Sequence, residues 1–118
     1  MNRILVVDDD GHAVDGLRRL LELDGYSVIA LRSASEALAR LGEERFDVFL
    51  TDLEMPDHGG LELIAAARAG HPNMPVFVMS GHFGTPTCDD ALARGAKLAF
   101  AKPVDYDALV RELAKVLE

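Results

Sequence analysis

Short, wholly apolar runs alternate along this sequence with longer segments in which apolar residues recur every three or four positions. The short runs are typical of strands buried on both faces, and the longer spacing is typical of amphipathic helices. The runs predict strands at residues 3–7, 27–31, 48–51, 76–79 and 98–101. The longer segments predict one helix after each strand, five in all.

Capping residues and glycines predict where these helices begin and end. The first helix should cover residues 13–24 and close at Gly25, which favours the left-handed backbone of a helix end. Capping boxes, in which a hydroxyl residue precedes an acid by three positions, are predicted at residues 33–36 and 87–90. The other predicted boundaries are Gly42 after the second helix, a turn at residues 57–60 before the third, Gly70 at its end, and Asp105 as the cap of the last.

Strands that are apolar throughout and separated by helices indicate a parallel sheet with helices on both faces. Because crossover connections are right-handed, few topologies remain, and we expect the flavodoxin-like strand order 2-1-3-4-5. The predicted fold class is therefore α/β, a doubly wound five-stranded parallel sheet with five helices. A length of 118 residues is near the commonest size of one domain. We expect a single domain over residues 1–118 and no output domain in this chain.

Composition and charge argue against several classes of function. The net charge of −8 opposes direct binding to nucleic acid or to an anionic membrane, since both need a basic surface. No apolar run approaches the length of a membrane span, and the first residues lack the apolar core of a signal peptide. The single cysteine, Cys88, cannot form a disulfide within the chain, which fits a reducing compartment. We therefore expect a cytoplasmic protein.

Polar residues end or follow four of the predicted strands. They are Asp8 and Asp9 after the first strand, Asp52 after the third, Ser80 after the fourth and Lys102 after the fifth. In an open parallel sheet, ligands bind beyond the carboxyl ends of the strands, near the point where the winding reverses. We therefore expect these side chains to line one site.

Three carboxylates at one edge of a sheet repel one another. Two like charges about 4 Å apart cost on the order of 4 kcal/mol at an effective dielectric of about 20, so Asp8, Asp9 and Asp52 should take up protons or a cation. Carboxylate oxygens that leave room for water suit Mg²⁺. Beside such a metal, Lys102 and Ser80 would supply the fixed cation and the hydroxyl donor that phosphoryl transfer uses.

Four separated elements of the sequence agree in order and spacing with one known family. They are Val6-Val7-Asp8-Asp9, Asp52-Leu53-Glu54-Met55-Pro56, Ser80 and Lys102-Pro103. Together they resemble the receiver domain of two-component response regulators, over the whole chain. The resemblance implies that Asp52 accepts a phosphoryl group from a phosphohistidine, with Ser80 and Lys102 contacting its oxygens. It also implies a cis peptide bond between Lys102 and Pro103.

The resemblance implies a magnesium site as well. Asp9, Asp52 and the backbone carbonyl of Glu54 would ligate Mg²⁺, and Asp8 would hold a metal-bound water. A receiver of this kind catalyses its own phosphorylation and dephosphorylation, so it would not be a turnover enzyme on an external substrate.

The same resemblance implies the kinds of partner. The phosphoryl donor would be a sensor histidine kinase or a phosphotransfer protein, docked on the first helix around Ala13, Val14 and Leu17. An unidentified downstream protein would recognise the phosphorylated form, and weak homodimerisation is a further expectation. No direct contact with nucleic acid or membrane is expected.

The sequence departs from the family at the residue that often reads out phosphorylation. Family members often carry Tyr or Phe three residues before the lysine, whereas this chain has Ala99. Phe100 is one residue further along a strand, so its side chain should point to the opposite face. We hypothesise instead that residues 81–87, interrupted by glycines and a proline, form the moving part. Glu54 and His82 should flank the water that hydrolyses the acyl phosphate and so set its lifetime.

The same residues partly match the patterns of other functions. The stretch Asp8-Asp9-Asp10-Gly11 also matches the signature of haloacid dehalogenase-like phosphatases, in which Asp8 would be the nucleophile and Asp10 the general acid. The acidic pair Asp89-Asp90 precedes Lys102, however, whereas that family needs it afterwards, and we expect Asp10 to cap the first helix instead. A flavin carrier would need a phosphate-binding loop where the three aspartates lie. A domain that only binds partners would leave the acid set unexplained.

Overall fold

The computed structural model describes residues 2–55, 60–81 and 86–117, and it forms a single parallel sheet with helices between the strands. The strands are β1 (Arg3–Val7), β2 (Ser27–Leu31), β3 (Val48–Asp52), β4 (Val76–Ser80) and β5 (Leu98–Ala101). The helices are α1 (Gly11–Leu23), α2 (Ala34–Glu43), α3 (Gly60–Gly70), α4 (Pro86–Ala93) and α5 (Tyr106–Leu117). The strand order is β2-β1-β3-β4-β5, which confirms the predicted flavodoxin-like fold. Within the described ranges, no helix combines the length and the apolar character needed to span a membrane.

Two apolar cores cover the two faces of the sheet. Successive side chains of a strand point to opposite faces. Leu5 and Phe49 pair in register and lie in the core that is covered by α2, α3 and α4. Leu50 and Phe77 pair in the same way and lie in the core under α1 and α5. The central strands are buried on both sides, and this is why the sequence shows them as continuous apolar runs.

The first helix shows how a side chain sets a boundary. Helix α1 begins at Gly11, two residues earlier than predicted, because the Asp10 carboxylate accepts hydrogen bonds from the N–H groups of His12 and Ala13, at 3.0 and 3.3 Å. Beyond the other end, Gly25 has a φ of 95°, which confirms the predicted left-handed cap.

Other predicted boundaries were wrong by one or two residues. Helix α2 continues through Gly42, because a glycine in a helix costs only about 1 kcal/mol relative to alanine and the buried face of the helix offsets that cost. Helix α4 begins at Pro86, so Thr87 lies in its first turn and is not the cap; proline suits the first helical position because no N–H partner is needed there. Strands β3 and β4 each extend one residue further, to Asp52 and Ser80.

The start of α3 packs directly against the end of β3. The N–H of Gly60 donates a hydrogen bond to the carbonyl of Leu53 at 3.2 Å. A Cβ at Gly60 would lie 2.5 Å from the Leu53 Cα and 3.0 Å from the carbonyl oxygen of Asp52. Only glycine therefore allows this approach. Of the turn predicted at residues 57–60, Gly60 is the first residue of α3 and the rest lies outside the described residues.

We predict that Gly60→Ala destabilises the fold by about 3 kcal/mol, since the new methyl group meets backbone rather than a movable side chain. The matched control is Gly16→Ala, in the exposed middle of α1, where a Cβ meets nothing within 4 Å. That variant should gain up to about 1 kcal/mol from helix propensity. Urea unfolding measures both changes, and a Gly60→Ala protein as stable as the wild type would contradict the close approach.

Candidate functional site at the carboxyl edge of the sheet

Parallel pairing brings the ends of four strands to one edge of the sheet. Asp8 directly follows β1, Asp52 ends β3, Ser80 ends β4 and Lys102 directly follows β5. The side chains of Asp8, Asp52 and Ser80 are each only 1% exposed. Ionised or polar groups at such burial need partners, because water no longer solvates them.

Lys102 provides the cation for the two buried acids. Its Nζ lies 2.8 Å from Oδ2 of Asp52 and 3.1 Å from Oδ2 of Asp8. One ammonium therefore bridges two carboxylates that end neighbouring strands. Charge-assisted hydrogen bonds of this kind are among the strongest in proteins, and they hold the three groups in one geometry.

The second oxygen of each buried carboxylate accepts a backbone hydrogen bond. Oδ1 of Asp52 accepts from the N–H of Glu54, and Oδ1 of Asp8 accepts from the N–H of Asp10, both at 3.0 Å. In each case the donor is two residues further along the chain, which is the usual short-range turn of an aspartate. The local chain therefore fixes the orientation of both acids before any ligand binds.

Asp9 completes an acidic cluster, which we define as Asp8, Asp9 and Asp52. Asp9 is exposed, unlike the other two. One carboxylate oxygen from each residue can be chosen so that all three oxygens lie within 4.8 Å of one another. The donor set is wholly oxygen and partly open to solvent, which is the coordination chemistry of a hard divalent cation.

The electrostatics of the site centre on Asp52. Burial raises the pKa of Asp52 from 3.8 to about 6, and the charge of Asp8 adds to the increase. The hydrogen bonds from Lys102 and from the N–H of Glu54 oppose it. For Lys102, burial alone would lower the pKa, but the hydrogen bonds and charges of Asp52 and Asp8 raise it overall. Lys102 therefore stays a cation, whereas the pKa of Asp52, at about 6, lies well above its ordinary value.

Glu54 makes a contact that sequence reasoning missed. Its Oε1 accepts a hydrogen bond from the N–H of Gly81 at 3.0 Å, and its Oε2 accepts one from the Ser80 hydroxyl at 3.4 Å. The sequence had assigned Glu54 only a backbone carbonyl and a place beside the hydrolytic water. No spacing pattern links residue 54 to residues 80 and 81, because the contact depends on the pairing of β3 with β4.

Arg32 is a second residue that the sequence did not single out. It follows β2, and its Nη2 donates a hydrogen bond of 3.4 Å to the carbonyl of Asp9. The guanidinium carbon lies 3.0 Å from the position that a Cβ of Gly11 would take. Arg32 thus brings a positive charge to the loop that carries Asp8 and Asp9 of the acidic cluster.

The structure also shows the peptide bond after Lys102 and the directions of the side chains in β5. The peptide bond between Lys102 and Pro103 is cis. Ala99 packs against the core under α2 to α4, whereas Phe100 lies in the opposite core with its ring centroid 5.7 Å from that of Phe77. The prediction that Phe100 points to the opposite face is therefore confirmed. His82 and most of the predicted moving segment lie outside the described residues.

A cleft opens beside the acidic cluster between α1 and the residues that follow β5. Its volume is about 420 Å³. The lining includes Ala13 and Leu17 of α1, Pro103 and Val104 on the other side, and the site residue Lys102. Ala13 and Leu17, two of the three residues predicted from the resemblance to dock a phosphoryl donor, thus lie beside the buried acids, whereas the third, Val14, is buried in the core under α1 and α5.

Comparison with known proteins gives a consistent assignment. Residues 4–114 match the response regulator receiver domain. The transcriptional regulatory protein GlrR of Escherichia coli K12 is 35% identical over 98% of this chain, which spans only 26% of the length of that relative. The structure resembles a CheY-like response regulator receiver domain protein from Methanospirillum hungatei JF-1, with a TM-score of 0.93 and 32% identity over 98% of this chain and 92% of the other.

A further similar structure contains a phosphorylated residue. It is a response regulator protein from Burkholderia pseudomallei with a phosphorylated aspartic acid, a calcium ion and citrate. The TM-score is 0.87 and the identity 31%, over 93% of this chain and 65% of the other. These matches do not support the dehalogenase-like alternative. The geometry agrees, since the carboxylate of Asp10, its expected general acid, caps α1.

We predict that Asp52→Asn stabilises the metal-free protein at pH 7 by on the order of 2 kcal/mol. The folded pKa of Asp52 is about 6 against an ordinary 3.8, so the folded state retains a proton that the unfolded state releases. The wild type therefore loses stability as the pH rises from about 4 through about 6. The asparagine variant lacks this loss, and Lys102 keeps Asp8 as a partner.

Urea unfolding in a chelator at about pH 4 and about pH 7.5 measures the effect. The stability difference between variant and wild type should be larger at the higher pH. A difference that does not change with pH would contradict the raised pKa.

Proposed function

The chain belongs to the family of response regulator receiver domains, and we propose that it accepts a phosphoryl group on Asp52 from a phosphohistidine of a partner protein. The observation that carries this proposal is the Asp52 carboxylate, buried at the end of β3 and held 2.8 Å from the Lys102 ammonium. The phosphorylated aspartic acid of the similar Burkholderia pseudomallei protein supports it.

The residues around Asp52 suit an in-line phosphoryl transfer. A carboxylate oxygen of Asp52 would form the new O–P bond, while the P–N bond to the donor imidazole breaks and its electron pair returns to nitrogen. Lys102 would stabilise the charge on the phosphoryl oxygens, and the Ser80 hydroxyl would donate a hydrogen bond to one of them. The hydrogen bond from the N–H of Glu54 would keep the other Asp52 oxygen in place. Positioning and charge stabilisation are the main requirements of such a step.

We propose that the acidic cluster holds Mg²⁺. Asp9, Asp52 and the backbone carbonyl of Glu54 would be direct ligands, and Asp8 would hold a metal-bound water. The proximity of the three carboxylates supports this assignment. When bound, the ion would offset the negative charge that a phosphoryl group brings to the site.

The proposed donor is a sensor histidine kinase or a phosphotransfer protein, which would dock on α1 and the cleft beside Lys102. This chain spans about a quarter of the length of curated relatives that are transcriptional regulators, so the output of the whole protein is also a matter of proposal. We propose that a downstream protein recognises the phosphorylated domain, with weak homodimerisation as a further element. The receiver would act as a cytoplasmic switch rather than a turnover enzyme.

We predict that incubation with Mg²⁺ and acetyl phosphate adds one phosphoryl group to the wild type, as seen by mass spectrometry. Asp52→Asn should lose the adduct, because the nucleophilic oxygen is absent. Asp8→Asn should retain it but form it more slowly, because only a supporting carboxylate is lost. An adduct that survives loss of Asp52 and depends on Asp8 would contradict the assignment.

We predict that the output surface lies at the end of β4 and in α4, since Ala99 offers no aromatic side chain to turn inward. Amide hydrogen exchange on adding Mg²⁺ and fluoroberyllate, a phosphoryl mimic, should change most between residues 81 and 94. Core amides of β1 serve as the internal control. Unchanged exchange in that interval would contradict the prediction.

A further inference from the structure

Glu54 joins the ends of two strands through different parts of one residue. Its N–H donates to Asp52 at the end of β3, whereas its carboxylate accepts hydrogen bonds from Ser80 and Gly81 at the end of β4. The phosphoacceptor and the end of β4 are therefore connected through a single residue, Glu54. Gly81 leads directly into the segment that precedes α4.

We propose that the Glu54 carboxylate is an internal anion, which occupies the Ser80 hydroxyl and the Gly81 amide until a phosphoryl group on Asp52 displaces it. This inference rests on the proposed function and deepens it, because it assigns the control of the same site to a residue outside the acidic cluster. The carboxylate would lower the affinity of the site for a phosphoryl group, and its release would transmit phosphorylation to the end of β4.

The first argument is the number of donors. A serine hydroxyl has one hydrogen to donate, and a backbone amide also has one. The proposed function requires Ser80 to donate to a phosphoryl oxygen, but its hydroxyl now donates to Glu54. Both acceptors cannot use that hydrogen at once, so binding of one must weaken binding of the other.

The second argument is charge. An aspartyl phosphate at residue 52 would carry close to two negative charges where the ionised carboxylate carried one, and it would lie on the residue to which the Glu54 backbone is hydrogen-bonded. The Glu54 carboxylate is itself negative and is held at the end of the neighbouring strand. Like charges in a partly buried site repel strongly, so the phosphorylated state favours release of the Glu54 side chain.

A purely structural brace would have the opposite effect on ligand binding. If Glu54 only held Ser80 and Gly81 in place for the phosphoryl group, its removal would disorder these donors and weaken binding. If Glu54 competes for them, its removal strengthens binding. The direction of the change in affinity therefore separates the two roles.

The test uses Glu54→Gln and Glu54→Ala, with Glu43→Gln as the matched control. Glu43 is exposed at the end of α2, so its substitution removes the same charge far from the site. Titration calorimetry with fluoroberyllate in saturating Mg²⁺ should give affinities at least fivefold higher for both Glu54 variants and unchanged for the control. Equal or lower affinities for folded Glu54 variants would overturn the proposal.

The Gly81 amide resonance gives a second, local readout. In the free protein, the chemical shift of this amide should differ between the wild type and Glu54→Ala. In the fluoroberyllate complexes the two proteins should give the same shift, because the Glu54 carboxylate has then left the amide. Shifts that stay different after binding would overturn the proposed displacement of Glu54 from the Gly81 amide. If the wild type neither binds fluoroberyllate nor forms the Asp52 adduct, the proposed function is wrong. If fluoroberyllate binds with an affinity that the Glu54 substitutions do not change, only this inference is wrong.

Discussion

The site depends on one interaction, the bridge that the Lys102 ammonium forms between the carboxylates of Asp8 and Asp52. Both acids are almost fully buried, and burial together with the charge of Asp8 raises the pKa of Asp52. The bridge joins Lys102, directly after β5, to the ends of β1 and β3, although β5 is at the edge of the sheet and is separated from β1 by two strands, β3 and β4. The same close grouping of carboxylates makes the site suitable for a divalent cation. The ion pairs that hold this edge of the sheet together thus involve the same carboxylates that could bind the cation.

Rigid positioning around Asp52 comes from three directions. The buried strand β3 holds its backbone, the N–H of Glu54 holds one oxygen, and Lys102 holds the other. Close packing of Gly60 against Leu53 fixes the chain just beyond. A phosphoryl group on Asp52 would therefore meet a preformed site and could not be accommodated by movement of the acid itself. The partners that could adjust are the Glu54 side chain and the two groups that it contacts at the end of β4, the Ser80 hydroxyl and the Gly81 amide.

This difference between fixed and adjustable groups indicates which part of the structure would change on phosphorylation. Ala99 packs against the core under α2 to α4, and its methyl group is too short to move between core and surface. Phe100 packs against the opposite core. Release of the Glu54 carboxylate would instead change the hydrogen bonding of Ser80 and Gly81, directly before the segment that leads to α4. The switch would then be electrostatic, because one anion replaces another on the same donors.

The sequence by itself determined the strands, their order and the set of residues at the carboxyl edge. Continuous apolar runs, helical spacing and right-handed crossovers leave few arrangements, and each site residue is adjacent to a strand end, where topology places it. Helix boundaries were predicted less accurately. At Gly42 the buried face of α2 outweighs the local propensity of glycine, and at Pro86 the helix begins on a residue that suits its first position. Only the tertiary structure decided that Lys102 bridges two acids and that Glu54 reaches the end of β4. These contacts join residues 26 to 94 positions apart, and their distances depend on side-chain directions that no local pattern encodes.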